Sequence, residues 1–251
     1  MQNKIINVAT YIRLVMKRLE KPISTGCTQL NDLLEGGVFP GGLYLVYGEA
    51  ETGKTTFAIQ CAVDRARKGL KAFFVDSDGT FSPERLSQIA YNDFEAVSPL
   101  IILVKPTSFE EQSHVIDQLD ELLTKKFGLL IVDTVTSLYR EELGGSTNRN
   151  FMLNRKLNRQ IASLAQIAKT HRIPVIITSQ VRNVFLQGRI SVEPVATRVL
   201  KFWSDRVIHL KPTNQTRVIE AVLENREKRK RIKCKRCYVE IKRTGIHNYH
   251  G

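Results

Sequence analysis

The stretch "VYGEAETGKTTF", residues 46–57, decides how this chain folds. A short apolar run ends in Gly48, four variable residues follow, and then come Gly53, Lys54 and Thr55, so the segment fits G-x-x-x-x-G-K-[ST]. In such a segment the glycines let the backbone curl without a Cβ in the way. The loop N–H groups and the positive end of the following helix then converge on a diphosphate. Lys54 would reach the β and γ phosphates, and the Thr55 hydroxyl would ligate Mg2+. A glycine turn with a surface lysine is the plain alternative. The strand expected before the loop and the helix expected after it favour phosphate.

Outward from this point, apolar runs recur as "GLYLVYG" (42–48), "KAFFVDS" (71–77), "LIILV" (100–104), "GLLIVDT" (128–134) and "PVIITSQ" (174–180). They read as buried strands. Helix-length segments lie between them at 53–68, 82–91, 108–126 and 149–171. Alternation of this kind implies an α/β fold: a mainly parallel central sheet, with right-handed crossovers and helices on both faces. After residue 203 the pieces "DRVIHL", "TRVIEAVL" and "CYVEIKR" have no helices between them and predict an antiparallel C-terminal extension. The expected organisation is an N-terminal segment, 1–21, followed by one core domain, 22–251.

The chain has 251 residues, 42% of them hydrophobic, and 38 Lys and Arg against 25 Asp and Glu, a formal charge of +13. That excess points to a polyanionic partner, either nucleic acid or an acidic membrane surface. No apolar run approaches the roughly 18 residues of a membrane span, and no secretory signal pattern opens the chain. A cytoplasmic protein is therefore expected, and with only four cysteines, no structural disulfide.

A phosphate loop needs a carboxylate at a neighbouring strand end for the magnesium shell, and "LLIVD" supplies Asp133. Hydrolysis also needs a group to position water. Asp76 and Asp78 in "FFVDSDGTF" are available, with Asp78 preferred because it lies further past the strand end. Either could instead cap the helix near Ser82. Gln180, at the end of "VIITSQ", could contact the γ phosphate and pass its presence to the basic segment behind it. An ordinary polar strand-end residue is the alternative there.

Together these stretches resemble the ATPase core of RecA-type recombinases of the archaeal and eukaryotic branch. "STGCTQLNDLLEGGVFPGGLYLVYGEAETGKTT" is similar to that family's entry segment and Walker A loop. "VDSDGTFSPERLSQIA" is similar to its catalytic-carboxylate segment, "LLIVDTVTSLYREE" to its Walker B strand and "PVIITSQV" to its sensor strand. The tail "VATRVLKFWSDRVIHLKP", with "YVEIKRTGI", resembles the short archaeal paralogues of the RadB type, and the likeness covers about residues 22–245. The resemblance implies ATP and Mg2+ as cofactors. Gly48, Glu49, Ala50, Glu51, Thr52, Gly53, Lys54, Thr55 and Thr56 would hold the nucleotide, with Arg85 stacked on adenine. Asp133 would serve as the Walker B carboxylate, acting on the metal through water, and Gln180 as the γ-phosphate sensor. Asp78 stands where the family usually has Glu, so its carboxylate is one methylene short and turnover would be slow.

The same resemblance makes 140–150 and 182–198 the DNA-facing segments. Arg140, Arg149, Arg182, Arg189 and Arg198 would meet phosphates and Phe185 a base, in single-stranded DNA by preference. The run 226–236 holds eight basic residues against Glu227 and reads either as a second phosphate patch or as a solvated turn. Cys234 and Cys237, with His247 and His250, raise a zinc hypothesis, but no glycine is present to make the turn that would join the two sulfurs. The segment before Pro22 is too short for the helix-hairpin-helix domain of full-length recombinases, and no Phe-x-x-Ala tether occurs. The implied function is a nucleoid-associated mediator or regulator of homologous recombination and DNA repair. It would bind and weakly hydrolyse ATP and act beside the main recombinase or other paralogues, with homo-oligomers open. The alternatives are a filament-forming strand-exchange enzyme, a KaiC-type signalling ATPase or autokinase, and a module in which ATP never turns over. The KaiC type carries paired adjacent glutamates after the second strand, where this chain reads "VDSDGTF".

Overall fold

The computed structural model describes residues 22–186, 189–224 and 235–251. In chain order the helices are α1 (Thr28–Leu33), α2 (Lys54–Arg67), α3 (Pro83–Ala90), α4 (Phe94–Val97), α5 (Phe109–Leu122), α6 (Ser137–Glu142), α7 (Thr147–His171) and α8 (Thr197–Trp203). The strands are β1 (Leu43–Gly48), β2 (Lys71–Asp76), β3 (Ile101–Val104), β4 (Phe127–Asp133), β5 (Val175–Ser179), β6 (Val181–Leu186), β7 (Arg189–Pro194), β8 (Arg206–Pro212), β9 (Val218–Glu224), β10 (Lys235–Lys242) and β11 (Gly245–Asn248).

Nine strands form one sheet in the order β11-β10-β9-β8-β1-β5-β4-β2-β3, and β6 pairs with β7 in a separate hairpin. Every residue of β1 and β5 is buried. Covered on both faces, such strands need apolar side chains at consecutive positions, which is why they appear in the sequence as unbroken Val/Ile/Leu runs. The core has two halves. On one face α2 sets Phe57, Ala58, Cys61 and Ala62 against Val46, Phe74 and Ile131. On the other, α7 contributes Leu153, Leu157, Ile161, Leu164 and Ala168, a spacing of three and four that keeps one face of its 25 residues on the sheet. Local signals fix the helix starts. Ser82, Ser108 and Ser146 each accept a hydrogen bond from the backbone N–H three residues on, and Pro83 occupies the first turn of α3.

One expectation is corrected, and two further features emerge. β8 runs parallel to β1, so the antiparallel extension begins only at β9. The segments at 140–150 and 182–198 are not plain loops. The first spans the end of α6 and the start of α7, and the second folds as the β6–β7 hairpin leading into α8. The tail is not frayed, because Asn248 Oδ1 accepts from Cys27 Sγ and the Gln29 N–H, and Gln29 Oε1 accepts from the Tyr249 N–H.

The C-terminal hairpin matters because it roofs the phosphate-loop helix. Gln60, buried in α2, donates to Ile246 O at 3.0 Å and accepts from the Ile246 N–H at 2.8 Å. A polar side chain in a helix core is tolerated when both ends are satisfied, and here it mimics one more rung of β11.

Candidate functional site

The phosphate loop sits where β1 ends and α2 begins, at the C-terminal edge of the parallel strands, the edge at which open α/β sheets bind ligands. Two glycines are required by geometry. A Cβ on Gly48 would lie 2.2 Å from Leu210 O on the paired strand β8. Gly53 has φ +88°, a left-handed conformation, and a Cβ there would lie 2.9 Å from Ile241 Cδ1 of β10. Thr52 closes the loop by donating to Glu49 O at 2.8 Å. Lys54 is 8% exposed, and its Nζ donates to Gly48 O at 3.0 Å and Glu49 O at 2.6 Å. Burial pushes its ammonium below the ordinary lysine range, against the opposing pull of Asp133, Asp78 and Glu49. The cation therefore rests on loop carbonyls at the place where phosphate oxygens would take over.

Asp133 ends β4 fully buried. One carboxylate oxygen accepts from the Thr178 hydroxyl, and the other, Oδ2, is buried without a partner. Burial pushes its carboxyl above the ordinary range. The Thr178 and Thr55 hydroxyls work the other way, and Asp76 and Asp78 add to the rise. An orphaned buried carboxylate oxygen beside the Thr55 hydroxyl fits a magnesium shell, since that ion is held by one or two carboxylates together with phosphates and water. Thr55 also lies 3.4 Å from Thr80 Oγ1.

The structure separates the two candidate aspartates. Asp76 is 1% exposed and structural: it accepts from the N–H groups of Thr80 and Phe81 at 3.0 and 3.2 Å, and Lys105 lies 3.5 Å away. Neither aspartate caps α3, because Ser82 does. Asp78 is half-buried and faces the crevice, where Gln180 Nε2 lies 3.2 and 3.4 Å from its oxygens. Gln180 Oε1 in turn accepts from Arg140 Nη1. Asp78, Gln180 and Arg140 therefore form a carboxylate–amide–guanidinium chain running from the end of β2 to the start of the segment 140–150.

Arg140, Arg149, Arg182 and Arg198 are all exposed, on α6, α7, β6 and α8. Of Phe185 and Arg189 only the backbone lies within the described residues, in the β6–β7 hairpin. Arg85 donates to the carbonyls of Lys242 and Arg243 at 3.0 and 2.7 Å and lies 3.3 Å from Thr56 Oγ1. It joins α3 to the turn between β10 and β11 above the phosphate-loop helix. Cys234 and most of the 226–236 run lie outside the described residues. Among those described, no three His, Cys, Asp or Glu side chains converge as a metal cluster, and His247 instead contacts Thr244 Oγ1 at 2.8 Å. Cys27 and Cys61 are buried free thiols.

Sequence reasoning missed two groups. Lys105, just after β3, was hidden because only topology brings it beside Asp76. The second is a cluster under the loop. His209 stacks on Tyr47 with ring centroids 4.2 Å apart, Glu224 accepts from the Tyr47 hydroxyl, and Lys201 of α8 pairs with Glu224 at 2.5 Å. It ties the helix after the hairpin to the strand that carries the phosphate loop.

A mainly parallel sheet with a Walker-type loop at the end of its central strand β1, and carboxylates at the ends of β4 and β2 beyond the intervening β5, defines a RecA-like core. Sequence comparison is narrower: residues 17–247 match the Rad51 family model, and the chain belongs to that family. It is 38% identical over 206 residues to the DNA repair and recombination protein RadB of Thermococcus kodakarensis, covering 80% of this chain and 89% of that one. Against the RadB protein of Methanocaldococcus jannaschii it is 35% identical over 195 residues, 78% of this chain and 89% of that one. A crystal structure of the RadB recombinase superposes with a TM-score of 0.77 at 35% identity, covering 91% of this chain and all of that one. The family as a class binds ATP with Mg2+, hydrolyses ATP and binds DNA. Among the described residues no helix is long and apolar enough to cross a membrane.

Proposed function

We propose that this protein is an ATP-binding, slowly ATP-hydrolysing DNA-binding paralogue in homologous recombination and DNA repair, acting as a mediator beside a main RecA-type recombinase. The observation that carries this reading is the Asp78–Gln180–Arg140 chain, which joins the phosphate crevice to a segment of exposed arginines. Lys54 leaves the Gly48 and Glu49 carbonyls for the β and γ phosphates, while loop N–H groups hold the diphosphate. Arg85 supports the adenine. Asp133 and Thr55 would hold the magnesium shell, and the ion would supply charge compensation to the phosphates. Asp78 orients the attacking water and takes up its proton, from a carboxylate one methylene shorter than the family's usual Glu. Gln180 gives up Asp78 for the γ phosphate, and the shift is felt at Arg140, which with Arg149, Arg182 and Arg198 meets DNA phosphates.

The test is the ATPase rate with and without single-stranded DNA, for the wild type and Lys54→Ala. Stimulation by DNA that the substitution abolishes supports the reading. A rate that DNA leaves unchanged favours a module in which the nucleotide is structural.

A further inference from the structure

At the edge of the sheet opposite the phosphate loop, where β1, β2, β4 and β5 begin, a cleft of about 560 Å3 opens between the ends of α2, α5 and α7. That size falls within the range of roughly 300–1,000 Å3 typical of small-molecule sites. Its lining is amphipathic: Leu123 and Phe127 stand with Arg65, Lys125, His171 and Arg172.

Arg65 is the unusual member. It is 8% exposed, its Nε and Nη2 are buried, and neither has a hydrogen-bond partner. Asp64 acts on Arg65 through its charge alone, its carboxylate being hydrogen-bonded to Lys68 at 2.7 Å, and at the rim Asp120 pairs with His171 at 2.8 Å. Gly128 opens the space that the arginine occupies, since a Cβ there would lie 3.0 Å from Arg65 Cδ and 2.8 Å from Leu70 Cδ1. The C-terminal ends of three helices meet here, and their partial negative charge favours cations in the last turns. Arg67 of the same turn is paired with Asp93 at 2.8 Å, whereas Nε and Nη2 of Arg65 find no partner. A guanidinium taken out of water without a hydrogen-bond partner is strongly unfavourable, and an oxyanion presenting two oxygens matches its fork of donors.

We propose that this cleft binds a small organic anion, a carboxylate or phosphate ester whose oxygens pair with Arg65 and whose apolar part lies on Leu123 and Phe127. Lys125 and Arg172 at the rim draw the anion in. The site is separate from the phosphate loop and does not depend on nucleotide hydrolysis.

The test is calorimetric titration of the full chain with phenyl phosphate and with benzoate, first with Mg-AMP-PNP saturating the phosphate loop and again in Lys54→Ala. Saturable one-to-one binding is expected in both settings, with phenol, the uncharged analogue, at least about tenfold weaker. Arg65→Gln weakens binding by about tenfold or more, and Lys125→Ala, an exposed change that leaves the core untouched, by about two- to fivefold. Absence of saturable binding up to about 10 mM overturns the proposal. So does equal binding by Arg65→Gln, or binding only of a glutamate-rich peptide.

Discussion

Replacing Gln180 by alanine cuts the link between the two halves of the site. In the structure the amide bridges Asp78, at 3.2 and 3.4 Å, and the Arg140 guanidinium. The contacts to Asp78 are at the long end of the hydrogen-bond range, so each contributes about 0.5–1 kcal/mol net; the contact to the charged Arg140 contributes about 1.5 kcal/mol. Only the part that changes between nucleotide states couples the sites, which leaves about 1–2 kcal/mol, or roughly a 5- to 30-fold difference in DNA affinity. The assay is fluorescence anisotropy of a labelled oligo-dT strand with Mg-AMP-PNP and with Mg-ADP. The wild type shows a ratio of affinities in that range, and Gln180→Ala brings it towards one. An undiminished ratio in the variant would refute the proposed route and place the coupling elsewhere, with the Tyr47–Glu224–Lys201 cluster the next contact to test.

Other outcomes follow from single side chains. Asp133→Asn removes a buried carboxylate whose pKa is raised by burial; the folded protein gains nothing from that charge without a cation, so the melting temperature of the ligand-free protein rises while the stabilisation by Mg-ATP disappears. His209, beneath Tyr47, has its pKa pushed down to about 4, chiefly by burial. The unfolded chain therefore binds the extra proton as pH falls through 6.5, stability present above that value is lost towards 4, and urea denaturation shows a loss of about 2 kcal/mol between pH 7 and 5 that His209→Phe lacks. Gly48→Ala forces a Cβ to 2.2 Å from Leu210 O; the β1–β8 pair cannot absorb this, and a loss of about 3 kcal/mol or more is expected by chemical denaturation.

The parallel strands and the phosphate loop were legible in the sequence because their physics is local. Strands covered on both faces require consecutive apolar residues, and Gly48, Gly53 and Lys54 sit at fixed offsets. What was hidden depends on contacts distant in the chain. The parallel pairing of β8 with β1 is a matter of topology, since "RVIHLKP" would look the same in either direction. The β6–β7 hairpin lies outside the main sheet, and "VRNVFLQGRISVEP" breaks its alternation with polar residues, so it showed no strand pattern. Helix α8 is seven residues, too short to show a period. The choice between Asp76 and Asp78 rested on distance past the strand end, and the structure gives the two side chains different surroundings. Asp76 is consumed by the N–H groups of Thr80 and Phe81, which turns the chain so that Asp78 faces Gln180. The membership of Arg140 in that chain could not be read from spacing, because 40 residues separate it from Gln180.

The most direct test of the central claim is a crystal structure of the protein with Mg-AMP-PNP. The account predicts Lys54 Nζ moved from Gly48 O and Glu49 O onto the phosphates, Asp133 turned to the metal shell, and the Gln180 amide on the γ phosphate instead of Asp78. A loop without nucleotide, or one filled while Lys54 and Gln180 keep their present partners, would contradict it.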